Sequence, residues 1–211
     1  MMRASPMPSN PSSVSHALLP TAFAGQRIGL MGGTFNPPHE GHAVCATTAL
    51  KRLRLDQLWW MVTPGNPLKS GEGLPSLAAR MAASRQLVSD PRITVTGFEA
   101  ALGTAFTYTT LRYVTQRMPG VEFVWVMGAD NLVGFHRWQR WREIARMVPI
   151  AVVDRPGWRY RALASPAAAW LGRFRVAESR AAQLPGMPPP AWTLLSTRLS
   201  GASSTVLRGG T

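Results

Sequence analysis

From residue 27 almost to the end of the chain, apolar runs of strand length alternate with helical patterns. The first run, residues 27–31, contains Ile28-Gly29-Leu30-Met31 and is short enough for a buried strand. Residues 41–53 then read as a helix. A second strand is predicted over residues 57–63, Gln-Leu-Trp-Trp-Met-Val-Thr, stopped by Pro64-Gly65-Asn66-Pro67. Residues 77–88 carry an amphipathic helical pattern with Ser76 as N-cap. Residues 92–96 form a short β-branched strand closed by Gly97, and residues 107–118 a helix ended by Pro119-Gly120. The strongest strand signal lies at residues 121–127, apolar on both faces as a central parallel strand is. A polar, tryptophan-bearing helix follows over residues 131–147, then a strand over 149–153. After a mostly irregular stretch, residues 155–190, come a late strand at 192–196 and a terminal helical turn at 203–208. This alternation predicts an α/β fold built on a doubly wound parallel sheet. Ligands of such sheets sit at the carboxyl ends of the strands, where the loops gather.

Composition narrows the reading. Of the 211 residues, 26–211 suffice for a single domain. Residues 1–25 are rich in Ser, Pro and Ala, carry only Arg3 as a charge, and read as a disordered tail lacking the apolar core of a secretory signal. No apolar run approaches about 18 residues, so no membrane span is indicated. The single Cys45 rules out an internal disulfide and reads as a buried, inert thiol, and a cytoplasmic location is expected. The net charge of +13 is almost entirely arginine, with Lys51 and Lys69 the only lysines. The arginines are scattered, which favours a compositional surface bias over a nucleic-acid footprint, though the charge still helps draw in phosphate ligands. One six-residue patch, Arg137-Trp138-Gln139-Arg140-Trp141-Arg142, interleaves arginine with aromatics. Neither nucleic acid nor membrane is expected as a partner, and the oligomeric state is not legible.

The chemistry gathers in Gly32-Gly33-Thr34-Phe35-Asn36-Pro37-Pro38-His39-Glu40-Gly41-His42, between the first strand and the first helix. Gly32 and Gly33 let the backbone come close to a ligand. The first N–H groups of the helix lack intrahelical partners and carry the positive end of its dipole, so an anion is stabilised there. His39 and His42, two of only four histidines, are three apart and share one face of the first turn. Neither Gly-x-Gly-x-x-Gly nor a Walker Gly-Lys-Ser/Thr is present. A histidine pair binds metal when a third ligand joins it; none is evident, and no metal-ligating residue is assigned. Ser203 and Thr205 fit the N-terminus of a short helix, a second natural anion site.

The run 32–42 resembles the nucleotidyltransferase signature of adenylyltransferases that join AMP to a phosphorylated small molecule, and most closely the bacterial nicotinate-nucleotide adenylyltransferase family. Further segments carry the resemblance. Gly128-Ala129-Asp130 ends the strong central strand, and Trp138 lies eight residues beyond Asp130. Ser203-Ser204-Thr205-Val206-Leu207-Arg208 matches the family's Ser-Ser-Thr-x-Ile/Leu-Arg. The resemblance spans residues 27–208 and implies a Rossmann-like nucleotidyltransferase fold. It implies adenylyl transfer from ATP, with Mg²⁺, to nicotinate mononucleotide, giving deamido-NAD and pyrophosphate in NAD biosynthesis by direct in-line attack. No covalent enzyme intermediate is implied.

By that resemblance His39, His42 and Arg208 are catalytic, and ATP is bound by Gly32, Gly33, Thr34, Phe35, His39, His42, Ser203, Ser204, Thr205 and Arg208. The acceptor is met by Asn66, Lys69, Thr107, Gly128, Asp130 and Trp138. Trp138 stacks on the pyridine ring in this reading. Without the family match, Trp138 reads equally as a core residue of an amphipathic helix, as Trp141 does. Asp130 binds the substrate ribose or water around Mg²⁺, and Lys69 faces substrate or is a solvated loop lysine. The chain departs from the family's Tyr-Thr-x-Asp-Thr-Leu, with Phe106 for the tyrosine and Thr109 for the aspartate. Sister enzymes that adenylylate nicotinamide mononucleotide or phosphopantetheine are the nearest alternatives; the latter carry Thr at the position of His39. A basic nucleic-acid-binding protein is the alternative from another class, and it leaves the glycine–histidine box unexplained.

Overall fold

Six apolar runs hydrogen-bond side by side, all parallel: β1 (Arg27–Gly33), β2 (Gln57–Val62), β3 (Ile93–Thr96), β4 (Glu122–Gly128), β5 (Ile150–Val153) and β6 (Trp192–Leu195). The computed structural model describes residues 19–65 and 74–197. The strand order is β3-β2-β1-β4-β5-β6, so the chain winds outward from β1 in one direction and then from β4 in the other. This is the doubly wound, Rossmann-like sheet that the alternating pattern predicts.

Both faces of the sheet are covered, which explains why β4 and β5 read as continuous apolar runs. Trp59, Met61, Trp125, Met127 and Val152 point to one face, under α4 (Thr107–Arg117), α5 (Ala129–Gly134) and α6 (Trp141–Met147). Trp60, Val62, Val124, Val126 and Val153 point to the other, under α1 (Glu40–Arg52). On α2 (Leu77–Gln86), Ser76 caps the first turn by accepting from Ala79 N–H at 3.2 Å, as its sequence position predicts. Among the described residues no helix is long and apolar enough to cross a membrane.

Three stretches depart from the sequence expectation. The helix predicted over 131–147 is broken: α5 passes into a 3-10 turn at Phe135–Arg137, Trp138 is extended, and Arg140 adopts φ +55° before α6 begins. The break sends two tryptophans apart. Trp138 packs edge-on against Trp125 and Phe135, at 6.0 and 5.3 Å, while Trp141 packs against Trp170 at 5.2 Å. The stretch 155–190 is not irregular. It holds α7 (Arg159–Leu163), α8 (Pro166–Leu171) and 3-10 turns at Gly172–Phe174 and Glu178–Gly186. A four-residue helix, α3 (Phe98–Ala101), was not foreseen. At the amino end, residues 1–18 lie outside the described residues. Residues 19–25, assigned to the tail by composition, are ordered: Leu19 and Ala22 pack on the core, and Gly25 N–H donates to Gly120 O at 2.7 Å.

Candidate active site

A cavity of about 690 Å³ opens where the strand order reverses, between the carboxyl ends of β1 and β4. Such a reversal splays the loops on either side and leaves a crevice, the usual ligand position in an open α/β sheet. Gly32, Gly33, Thr34, Phe35, His39 and His42 line one side, and Thr107, Gly128, Asp130 and Trp138 line the other. The structure thus brings together ten of the residues singled out from the sequence. Asn66, Lys69, Ser203, Ser204, Thr205 and Arg208 lie outside the described residues.

The glycines have a packing reason that the sequence did not show. A Cβ on Gly32 would stand 2.8 Å from the Trp125 ring, and one on Gly33 would stand 3.0 Å from the Phe35 ring. The protein's own aromatics occupy that space, so packing alone disfavours a side chain at both positions, which also line the cavity. Phe35 itself is buried at φ +49°, in the left-handed region that disfavours a side chain.

His39 is the N-cap of α1, and its backbone N–H donates to His42 Nδ1 at 3.2 Å. His42 N–H closes back on His39 O at 2.9 Å, and the two imidazoles stack with centroids 3.8 Å apart. Because Nδ1 accepts a bond, neutral His42 carries its proton on Nε2, and that donor is left to meet a ligand. Burial is the main cause that lowers the His42 pKa, to about 3, with the nearby charges of His39 and Arg155 adding to it. His39 is lowered by burial and then by Arg155, with Asp130 opposing.

This depression links stability to pH. Between the ordinary histidine pKa of 6.5 and about 3, the folded protein binds fewer protons at His42 than the unfolded chain does. Its contribution is therefore present above 6.5 and is lost as the pH falls through that interval. Thermal unfolding of the ligand-free protein from pH 7 down to pH 4 should show the midpoint falling, and falling less steeply in His42→Asn. Parallel slopes would show that His42 is not held neutral.

Two side chains that line the cavity escaped the sequence reading. Arg155, just beyond β5, pairs with Asp130 through Nη1 to Oδ2 at 3.4 Å. Arg155 Nε and Asp130 Oδ1 are buried without a hydrogen-bond partner among the described residues. Unpaired polar atoms beside a cavity mark groups that a ligand or water satisfies. The second is Glu99, 4 % exposed, which accepts from Thr110 Oγ1 at 2.6 Å behind the first turn of α4. Burial raises its pKa, against the hydrogen bonds from Thr110 and Thr63. Thr109, at the position of the family aspartate, is exposed on that turn. Cys45 is buried, and burial pushes its thiol up to about 12, as an inert thiol should be.

A parallel sheet of this order, with paired histidines capping the helix at its reversal, defines a nucleotide-handling transferase of the cytidylyltransferase-like family, whose profile matches residues 30–210. A Rhizobium johnstonii protein named "Probable nicotinate-nucleotide adenylyltransferase" is 54 % identical over 192 residues, covering 91 % of this chain and 96 % of the relative. A Bradyrhizobium sp. (strain ORS 278) protein of the same name is 53 % identical over 182 residues, covering 86 % and 95 %. The chain belongs to the nicotinate-nucleotide adenylyltransferase family. In fold it is similar to a Plasmodium falciparum nicotinic acid mononucleotide adenylyltransferase solved in complex with NaAD. That likeness has a TM-score of 0.64 at 15 % identity and covers 84 % of this chain and 78 % of the other.

Proposed function

We propose that this chain transfers the adenylyl group of ATP to nicotinate mononucleotide, giving deamido-NAD and pyrophosphate. One observation carries the chemistry: the histidine-capped N-terminus of α1 and the Trp138 side of the crevice face a single cavity. A phosphate oxygen of the mononucleotide attacks the α-phosphorus of ATP in line, and the bond to the departing pyrophosphate breaks. The protein supplies position and positive charge, and no side chain forms a covalent bond to substrate.

In this reading the unpaired N–H groups at the start of α1 and the Nε2–H of His42 meet the ATP phosphates, with His39 beside them. Gly32, Gly33, Thr34 and Phe35 shape the floor. Ser203, Ser204, Thr205 and Arg208 hold the phosphates from the opposite side; their assignment rests on the motif alone. Arg155 joins the cations around the transferring group. On the acceptor side Trp138 offers a ring face to the pyridine, Thr107 and Gly128 bound that end, and Asn66 and Lys69 come from the loop after β2. The chemistry of the available donors fits Mg²⁺ carried by ATP: Asp130 is the carboxylate beside the cavity with an unpartnered oxygen, while phosphate and water supply the rest. When bound, the ion offsets the negative charge that spreads over the phosphates. A cytoplasmic setting suits a substrate pair of soluble nucleotides.

Incubation with ATP, Mg²⁺ and nicotinate mononucleotide should release pyrophosphate and form deamido-NAD. Product with phosphopantetheine but not with this acceptor would move the assignment to the sister enzyme. Trp138→Ala should raise KM for the mononucleotide by about tenfold and leave KM for ATP nearly unchanged, because stacking on one substrate is lost. Equal rises for both substrates would reduce Trp138 to a packing residue.

A further inference from the structure

Arg80 on α2 is only 3 % exposed, and no carboxylate among the described residues pairs with it. Its guanidinium is held by main-chain oxygens instead. Nη1 donates to Thr34 O at 2.7 Å and to Thr63 O at 2.8 Å, Nη2 to Pro64 O at 3.1 Å, and Nε to Pro75 O at 3.0 Å. These oxygens belong to the loop after β1, the loop after β2 and the entry to α2. One planar fork therefore adds the entry to α2 to the ends of β1 and β2, which strand pairing and the Thr63 N–H to Gly33 O bond already hold together. Burying a cation against neutral carbonyls is an expensive way to add stability, since an apolar side chain would fill the space at lower cost.

The geometry at Thr34 suggests what the cation is for. The next residue, Phe35, sits at φ +49°, and such a conformation persists only where its surroundings over-determine it. Two ties do so here: Arg80 holds the Thr34 carbonyl, and Thr63 N–H donates to Gly33 O at 3.0 Å. The Phe35 ring then packs at 4.8 Å on Trp60 and meets His42 edge-on at 5.0 Å. We propose that Arg80 is a positioning residue for adenylyl transfer: it locks the Thr34–Phe35 turn against the end of β2 and so fixes where the His42 imidazole stands. This rests on the reading of His42 as a phosphate contact.

The test uses the full chain with ATP, Mg²⁺ and nicotinate mononucleotide, and compares Arg80→Lys, Arg80→Gln and His42→Ala, each assayed below its own unfolding midpoint. Lysine keeps the charge but cannot span the four carbonyls; glutamine is neutral, and its amide nitrogen ends near the place of Nε, short of the three oxygens that the Nη atoms meet. A small misplacement of a charge-stabilising group lowers turnover more than binding. Arg80→Lys should therefore lose about tenfold or more in kcat with KM for both substrates within about twofold. The ring-proton NMR signals of His42, shifted by the Phe35 and Trp60 rings, should move in both Arg80 variants. Native kcat with unmoved His42 signals, whatever the loss in midpoint, would overturn the proposal by leaving Arg80 a core-stabilising residue alone. Failure of both variants to fold would overturn it equally. Native turnover in His42→Ala is a separate result: it would remove the phosphate reading itself, and this inference with it.

Discussion

Replacing His42 by alanine is expected to lower kcat by about 10²-fold or more while the fold survives, the size seen when one preorganised donor to developing charge is removed. The proposed in-line attack needs no side-chain nucleophile, so on that reading the enzyme's contribution lies in groups that are already aimed before the substrates arrive. His42 is such a group. Its Nδ1 is occupied by the His39 N–H, its ring is wedged between the His39, Phe35 and Trp60 rings, and its proton stands on Nε2 at neutral pH. The ring is half-buried and sits at a helix end, so its loss leaves a small defect at the cavity mouth rather than a hole in the core. Steady-state pyrophosphate release and thermal unfolding, measured on one preparation, separate the two effects. A near-native kcat would demote His42 to a cap.

The second large effect is expected at Arg155. Arg155→Met should reduce kcat/KM by about 10- to 10²-fold, the scale of a lost charge-assisted hydrogen bond to an anion. Two causes act together. In the proposed arrangement a cation beside the phosphates disappears, and the Asp130 carboxylate, only 28 % exposed, is left facing them uncompensated. The double variant Arg155→Met/Asp130→Asn removes the second cause and should recover part of the loss. An Arg155→Met enzyme of native efficiency would leave the pair as a structural bridge and nothing more.

How far the sequence could be read depended on how local each cause was. Strand positions followed from apolar runs buried on both faces, and all six appear within a residue or two of where those runs place them. The histidine box was legible because turn, cap and first helical turn are consecutive in the chain. The break between α5 and α6 was not legible. Around it Trp138 and Trp141 share Phe135 but differ in their second partners, Trp125 and Trp170, which are far off in sequence. Arg155 had no local signature either, since its role depends on the β4–β5 pairing that brings it to Asp130. By contrast α8 did announce itself: Ser165 caps it through Ala168 N–H at 3.2 Å with Pro166 in the first turn, the signal that marks a helix start. The many prolines nearby obscured it. Glu99 carried a hint as well, as a carboxylate within an apolar stretch, which calls for a partner that Thr110 supplies.

The reversal of strand order gives the crevice two walls with separate addresses in the chain. Among the described residues, what is proposed for the triphosphate comes from residues 32–42 with Asp130 and Arg155, while what is proposed for the ring end comes from residues 107–138. On that reading a change of acceptor calls for edits mainly in the later stretch, while the histidine-capped turn of the donor side is inherited whole.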